Sequence, residues 1–455
     1  MRQTHTQHAE SPLRAEVWAM LALAVPIVLT QLAQIALNTT DVIFTGWLGP
    51  EALAAGQLGH NLYFPPFITC VGMLFASSAM MAQELGGRRY KGVRRTFRQS
   101  FWTVAVIAPF AFIYFFNAET ILIWLGQPKE LIGPASDYVM AAAFGFPFAL
   151  GFSILRNFIA AHSRPRPALY VLIAGLGVNA VADYVLMFGY FGFPRLELLG
   201  LGIATSIVQI VMFFVLLIYV IRDRRYRRYH LLARFWRSDW PRFRELWAIG
   251  VPIGMTKFAE TTLFSASGFL VGLIAVDQLA GHAVALQWAA IGFMIPFGIS
   301  QAATVRVGLA VGRKDPELVR RSSIVAVVTG VLAMTPSTLI YIFAGSLLTS
   351  VFLDVSEAGQ TAAFGYAVSF LVIAGIFQFA DGGQVIVAGA LRGLKDTKVP
   401  MMLALISYWL VAFPISAWLG LKTSLGGEGV WIGMAIGLLV VWIALGWRLH
   451  IKTKV

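Results

Sequence analysis

Twelve long apolar segments constrain this chain more than any other feature of its sequence. A helix that crosses a bilayer needs about 20 mostly apolar residues. Only 13% of the residues are charged, half the share of a soluble globular chain. The pattern predicts an all-α membrane protein and excludes a soluble enzyme, a disordered chain and a nucleic-acid-binding domain. The segments cover roughly residues 17–47, 52–85, 97–118, 132–162, 168–190, 199–221, 246–275, 280–311, 322–344, 361–391, 399–421 and 429–447.

Basic residues alternate between the two sides of these segments. With the N-terminus in the cytoplasm, 29 of the 35 lysines and arginines fall in cytoplasmic stretches, and three fall in external loops, at Lys129, Arg195 and Lys422. Cytoplasmic loops of membrane proteins carry this excess of positive charge. We therefore predict that both termini are cytoplasmic, and the net charge of +13 needs no nucleic-acid partner.

The second half of the sequence repeats the first under one constant shift. The shift brings Pro26 onto Pro252 and Gly86 onto Gly312, and the register holds without gaps over residues 22–95. Because each half contains an even number of segments, the halves run in the same direction. Transporters built from repeats bind substrate at the repeat interface. The repeat predicts two pseudo-symmetric six-helix lobes around a central cavity.

This repeat also divides the chain into five parts. The parts are a cytoplasmic tail (1–16), a first lobe (17–221), a linker (222–245), a second lobe (246–447) and a second cytoplasmic tail (448–455). The linker is basic and aromatic, which is typical of an amphipathic stretch on an anionic membrane surface. A solvated linker is the alternative.

Two groups of polar residues fall inside the apolar segments. A buried carboxylate is costly unless it is paired, protonated or bound to a cation. Asn179 and Asp183 share a helix face, and Asp41 and Thr205 can converge on them as oxygen donors for Na⁺ or a shared proton. We expect Pro26 to allow a kink in the first helix. A structural hydrogen-bond cluster is the alternative.

The second lobe contains its own pair of acids. Glu260 and Asp381 lie in the seventh and tenth segments, where they can bind protons or a cationic substrate. Lys257 precedes Glu260 by three residues, so a simple ion pair is the alternative interpretation.

Several chemistries have no motif in this sequence. The phosphate loop GxxxxGK[ST] and the catalytic motifs HExxH and GxSxG are absent. The single Cys70 excludes an internal disulfide and a cysteine-ligated cluster. We therefore expect no enzyme activity and no cofactor. We expect transport to be driven by an ion gradient or to be passive.

Over residues 15–450 the sequence resembles the multidrug and toxic compound extrusion (MATE) family, in its NorM-like bacterial branch. The matching elements are Pro26, Thr40-Asp41-Val42-Ile43-Phe44-Thr45-Gly46, Gly49, Leu53-Ala54-Ala55, Arg164-Pro165-Arg166-Pro167, Asn179 with Asp183-Tyr184, Pro252 with Glu260, Gln378 with Asp381 and Gln384, and Gly393 with Asp396-Thr397. The resemblance implies a monomeric exporter of organic cations, in contact with lipid in the bacterial cytoplasmic membrane and driven by H⁺ or Na⁺ entry.

The resemblance also implies site residues. The family's amino-lobe cation site matches Asp41, Asn179, Asp183 and Thr205, with Asn157 a weaker match, and these four stronger matches are the candidate Na⁺ ligands. The acids of the other lobe match Glu260 and Asp381. The coupling ion, the substrates, the main coupling lobe and the conformation stay open.

Three other classes remain as alternatives. A lipid-linked oligosaccharide flippase of the same superfamily needs cavity cations, whereas the intramembrane residues here are mainly acidic. A major-facilitator transporter carries an acid in the loop that corresponds to residues 86–95, which has none. A membrane enzyme needs clustered histidines or acids, but His60, His162 and His282 are scattered.

Overall fold

Twelve membrane spans make up the fold in a computed structural model, which describes residues 12–353 and 360–454. Spans 1 to 6 form the first lobe and are Pro12–Trp47, Pro50–Gly86, Tyr90–Phe116, the pair Lys129–Ala143 and Phe146–Ala161, Arg166–Phe188, and Glu197–Arg222. Spans 7 to 12 form the second lobe and are Trp240–Gly272, Val276–Arg313, Pro316–Phe343, Thr361–Gly393, the consecutive pieces Lys398–Leu405, Ile406–Ala412 and Phe413–Lys422, and Gly427–Thr453. Short helices cover Ala118–Trp124, Arg224–Arg227 and Gly345–Thr349.

The spans confirm the predicted all-α membrane fold. Ten of them are long and apolar enough to cross a bilayer, and the two helices of span 4, bent by 47°, make an eleventh. Span 7 is 33 residues long but carries Lys257 and Glu260 in its interior, which lowers its hydropathy. Ionisable residues inside a span are rare and commonly functional.

The ends of the spans differ from the sequence prediction by a few residues. Span 1 begins at Pro12 instead of residue 17, and span 12 continues to Thr453 instead of residue 447. The predicted tails are thus largely helical where they are described, while residues 1–11 and Val455 lie outside the described ranges. Span 9 begins at Pro316 instead of residue 322, because Asp315 accepts the Leu318 N–H and Pro316 occupies the first helical position.

The contacts between the lobes follow the symmetry of the sequence repeat. A β-carbon on Gly72 of span 2 would lie 3.2 Å from the Cα of Gly254 in span 7. At the symmetry-related place, a β-carbon on Gly298 of span 8 would lie 2.9 Å from the Cα of Val28 in span 1. Because the shift that brings Gly72 onto Gly298 also brings Val28 onto Gly254, the two contacts are equivalent. The sequence repeat is therefore a structural pseudo-twofold.

The lobes meet tightly at the end of the molecule that carries both described termini. There spans 2 and 8 cross at Gly86 and Gly312, and a side chain on either glycine would overlap the backbone of the opposite span. Ion pairs join the lobes at the same end: Glu16 accepts from Arg306, and Glu84 lies 2.5 Å from Arg242. We call this the terminal end.

Towards the other end, the crowded glycines of these spans contact their own lobes. Gly59 of span 2 faces Tyr138 of span 4, and Gly281 of span 8 faces Ala367 of span 10. The near neighbours of Gly56 in span 2 and of Gly268 in span 7 likewise belong to the same lobe as each glycine. The closest packing between the lobes is thus concentrated in the half of the spans that includes the terminal end.

The linker between the lobes is partly packed and partly exposed. Arg98 and Trp102 of span 3 donate to the carbonyl oxygens of Arg234 and Phe235, which fixes the linker beneath the first lobe. Trp236 is 77% exposed. Arg95, on the same side, binds Asp239 and holds the pKa of that carboxyl below its usual value.

Candidate ion-coupling sites

Spans 1 and 5 bring three of the predicted site residues together. The side-chain amide of Asn179 donates to Asp41 Oδ1 and to Asp183 Oδ2, each at 2.6 Å. The Asn179 amide therefore bridges the two carboxyl groups. Because Asn179 and Asp183 are one helical turn apart, span 5 presents them on one face towards Asp41. This contact confirms the convergence of spans 1 and 5, and we call the trio the first-lobe cluster.

The first-lobe cluster has more acceptors than donors. Asn179 and Asp183 have no exposed surface, whereas Asp41 is partly exposed. Asn179 Oδ1 and Asp183 Oδ1 are buried without a hydrogen-bond partner among the described residues. Two adjacent carboxylates, one of them fully buried, repel each other unless a proton or a cation lies between them.

The donor set fits a proton or a hard cation. Carboxylate and amide oxygens are the ligands that hard cations prefer, and Na⁺ shares that preference with Ca²⁺ and Mg²⁺. Within residues 12–353 and 360–454, no three His, Cys, Asp or Glu side chains gather as a metal site would require. Two acids and one amide can hold a proton or a hard cation such as Na⁺.

Thr205 and Asn157 form hydrogen bonds outside this cluster. The Thr205 hydroxyl donates to Leu201 O within span 6, at 2.9 Å. The Asn157 amide donates to Leu74 O at 3.0 Å and to Ser77 Oγ at 3.3 Å, which ties span 4 to span 2. A threonine inside a helix commonly bonds back to the carbonyl four residues earlier. The hydrogen bonds that the structure gives these two side chains thus lie outside the cluster, and their role in ion binding stays a prediction.

Tyr138 of span 4 is a neighbour of the first-lobe cluster that the sequence did not reveal. It is 5% exposed, and its phenol is close enough to interact electrostatically with Asp41 and Asp183. Gly59 of span 2 makes room for its ring. No spacing in the sequence signals this proximity, because the residues lie on different spans.

Span 1 continues as one helix through Pro26 to Trp47. The Thr30 hydroxyl donates a hydrogen bond to the Pro26 carbonyl oxygen, at 2.7 Å. The cluster residue Asp41 lies about four turns further along the same helix. A bend at Pro26 would therefore move Asp41 relative to span 5.

The second-lobe acids lie beside a resident cation. Lys257 Nζ is 2.6 Å from Glu260 Oε2, and both residues are buried. The ammonium also lies 5.0 Å from the ring centre of Phe297 and 5.4 Å from that of Phe293. The ion pair that the spacing allowed is formed, and the aromatic faces stabilise its cation further.

Gln384 links the second-lobe acids. Its amide lies 3.4 Å from Glu260 Oε1 and 3.5 Å from Asp381 Oδ1, so both contacts are long. Gln384 follows Asp381 by one turn, so the two share a helix face. In the sequence, Gln384 stands out only as an element of the family resemblance. One lysine therefore faces two carboxylates, and we call these four residues the second-lobe cluster.

A narrow cavity of about 30 Å³ extends from the second-lobe cluster towards the terminal end. Lys257, Glu260 and Gln384 line it at one end, and Arg392 and Asp396 are among its other lining residues. Arg392 is buried, and its Nη2 lies 2.5 Å from Ser300 Oγ. A cavity of this volume is large enough to hold water.

The two clusters are not symmetry equivalents. Under the shift that relates the lobes, Asp41 corresponds to Ser267 and Glu260 corresponds to Gln34. Asp41 and Gln34 lie two turns apart on span 1, which is about 10 Å along the helix. The duplicated frame therefore carries two different polar sites at two different depths.

The chain belongs to the MatE family. The sequence profile of that family matches it twice, at residues 26–185 and 252–418, and the two matches begin at the pair of prolines that coincide in the repeat. Each match falls in one lobe, so the family unit corresponds to the repeat.

Similar proteins cover nearly the whole chain. A probable multidrug resistance protein NorM of Mesorhizobium japonicum is 44% identical over 95% of this chain and 93% of its own length. One from Brucella suis is 38% identical over 96% and 93%. A structure of a multidrug resistance MATE family transporter in an outward-facing conformation superposes with a TM-score of 0.88 at 17% identity, covering 96% of each chain. That last similarity bears on the fold alone.

Proposed function

We propose that this protein is a multidrug efflux transporter that exchanges organic cations for H⁺ or Na⁺ by alternating access. Support comes from its family, from relatives named as multidrug resistance proteins, and from two repeat lobes that are packed most closely towards one end. Repeat-built transporters rock their halves around a site between them. The family is one of transporters, so we propose neither an enzyme activity nor a cofactor.

The first-lobe cluster is our proposed main coupling site. The observation that carries this assignment is a pair of carboxylates bridged by the Asn179 amide, in which Asp183 is fully buried and neither acid forms an ion pair among the described residues. Such a pair must take up positive charge from solution. The second-lobe cluster, in contrast, already holds Lys257 beside Glu260.

Coupling follows if ion and drug stabilise different states. An H⁺ or Na⁺ that enters between Asp41 and Asp183 removes the negative charge that attracts an organic cation, so the drug leaves. The ion-loaded protein then reverses, releases the ion on the other side and binds drug again. The exchange requires only that the two ligands compete or favour different conformations.

The orientation of the molecule is part of the proposal. Basic residues are concentrated at the terminal end, and positive loops favour the cytoplasm. With both termini cytoplasmic in a bacterial inner membrane, the closed terminal end makes the present conformation outward-facing. We further propose that the protein acts as a monomer surrounded by lipid.

Dye efflux from vesicles tests this function. The purified protein is reconstituted, a fluorescent cationic dye is loaded, and a pH gradient or a Na⁺ gradient is imposed separately. We expect accelerated dye movement under at least one gradient and none without a gradient. Dye movement that is insensitive to both gradients would contradict ion exchange.

The second-lobe ion pair provides a further prediction. Glu260→Gln leaves the Lys257 ammonium buried without a full counter-charge, and breaking a buried pair costs about 3–5 kcal/mol. The double variant Lys257→Met/Glu260→Gln removes both charges, so its thermal stability should return towards that of the wild type. If the first lobe dominates coupling, the double variant should also keep gradient-driven efflux to within about threefold.

Melting temperature and dye efflux are measured on the same preparations of these variants. The single variant Lys257→Met completes this double-mutant cycle, because it leaves Glu260 unpaired. Restored stability with complete loss of efflux in the double variant would assign the main coupling step to the second lobe.

A further inference from the structure

A basic pocket lies at the terminal end of the first lobe, away from both ion clusters. It is a cavity of about 380 Å³ lined by His162 and Arg164 after span 4, and by the start of the linker. The linker residues that line it are Arg224, Arg225, Tyr226 and Arg228. The proposed transport cycle assigns no role to this pocket.

The arginines of this pocket have no acidic partners in the described ranges. No ion pair there includes Arg164, Arg224, Arg225 or Arg228. Asp223, which precedes them, accepts from the Arg225 N–H and the Tyr219 hydroxyl. Four neighbouring guanidinium groups that form no ion pair repel each other and favour an anionic ligand.

Unpartnered polar groups lie among these arginines. Tyr226 is 2% exposed, and its buried hydroxyl has no hydrogen-bond partner in the described part of the chain. His162 Nδ1 lies 2.7 Å from Phe158 O, while its Nε2 is buried without a partner among the described residues. Buried polar groups are normally satisfied. The Tyr226 phenol can donate to an incoming oxygen.

An apolar groove adjoins the basic pocket. It is a second cavity, of about 370 Å³, and Tyr226 lines both. Its other lining residues include Val220 and Ile221 at the end of span 6, and Leu231 and Leu232 in the linker. A phosphate between arginines beside an apolar groove matches the two ends of one phospholipid molecule.

We propose that this pocket binds the phosphate group of an anionic phospholipid, whose acyl chain lies in the adjoining groove. The ligand would bridge span 4 and the linker that connects the lobes. The inference goes beyond the proposed transport, and its test does not depend on drug efflux.

Lipid binding to the full-length chain tests the proposal. Purified protein in neutral detergent is titrated with short-chain phosphatidylglycerol, and bound lipid is counted by native mass spectrometry. Losing two arginine contacts in Arg164→Gln/Arg225→Gln should weaken the tightest binding at least tenfold, since each basic residue near an anionic surface contributes substantially. The variant Arg234→Gln/Arg237→Gln loses the same charge outside the pocket and should bind within twofold of the wild type.

Tyr226→Phe separates the pocket from general charge attraction. It keeps every charge and the ring packing but removes the unpartnered hydroxyl, so we expect binding to weaken several-fold. Melting temperatures in lipid-free detergent check that each variant is folded. Equal binding by the pocket and control double variants would overturn the proposal. Displacement of the lipid by equimolar inorganic phosphate would also overturn it, and so would phosphatidylcholine binding as tight as that of phosphatidylglycerol.

Discussion

Asp41→Asn should abolish gradient-driven dye efflux, lowering its rate at least tenfold, while the protein remains folded in the membrane. The asparagine side chain can still accept the hydrogen bond from Asn179, so the contact between spans 1 and 5 is preserved. It cannot carry the negative charge that loads an ion between Asp41 and Asp183. Vesicle efflux under an imposed pH or Na⁺ gradient measures the effect.

A matched variant separates coupling from a general loss of acid. Asp137→Asn removes an exposed carboxylate from the same lobe and should leave efflux unchanged. Thermal unfolding gives a second measurement, because an ion that binds only the folded protein raises its melting temperature. Stabilisation by Na⁺ or by lowered pH should shrink in Asp41→Asn and persist in Asp137→Asn. Normal efflux by Asp41→Asn would rule out the first-lobe cluster as the main coupling site.

The fold was largely predictable because it depends on local and repeated signals. Apolar length defines each span, and the coincidence of Pro26 with Pro252 reveals two lobes without any knowledge of their contacts. The structure adds a physical reason for the repeated register: Gly72 and Gly298 occupy equivalent close contacts between lobes. The exact span ends were less predictable, since helices extend beyond the apolar core.

The polar sites were predictable only in part. Asn179 and Asp183 could be paired because they lie one turn apart, and an acid such as Asp41 inside a span needs a partner. Thr205 and Asn157 have suitable chemistry, but their hydrogen bonds depend on helix rotation and on neighbouring carbonyls. Tyr138 could not be predicted, because only three-dimensional packing brings it to the acids.

Gly86→Val should open the terminal end and stop transport. A side chain at residue 86 would overlap the backbone of Leu309 on span 8, and backbone cannot rotate away as a flexible side chain can. Overpacking of this kind costs about 1–3 kcal/mol, which shifts a two-state equilibrium about five- to 150-fold. Because only the closed state contains this contact, the shift should favour the conformation in which spans 2 and 8 separate.

Spin labels at the equivalent exposed positions 91 and 317 would measure that separation. In a Cys70→Ser background, Lys91→Cys/Glu317→Cys should give a longer distance with Gly86→Val than without it, and efflux should fall at least tenfold. Gly446→Val is the matched control, because a β-carbon at Gly446 has no neighbour within 4 Å. If Gly86→Val left both the label distance and efflux unchanged, the close crossing at Gly86 and Gly312 would not control access. A longer distance with normal efflux would mean that closure at this crossing does not limit transport.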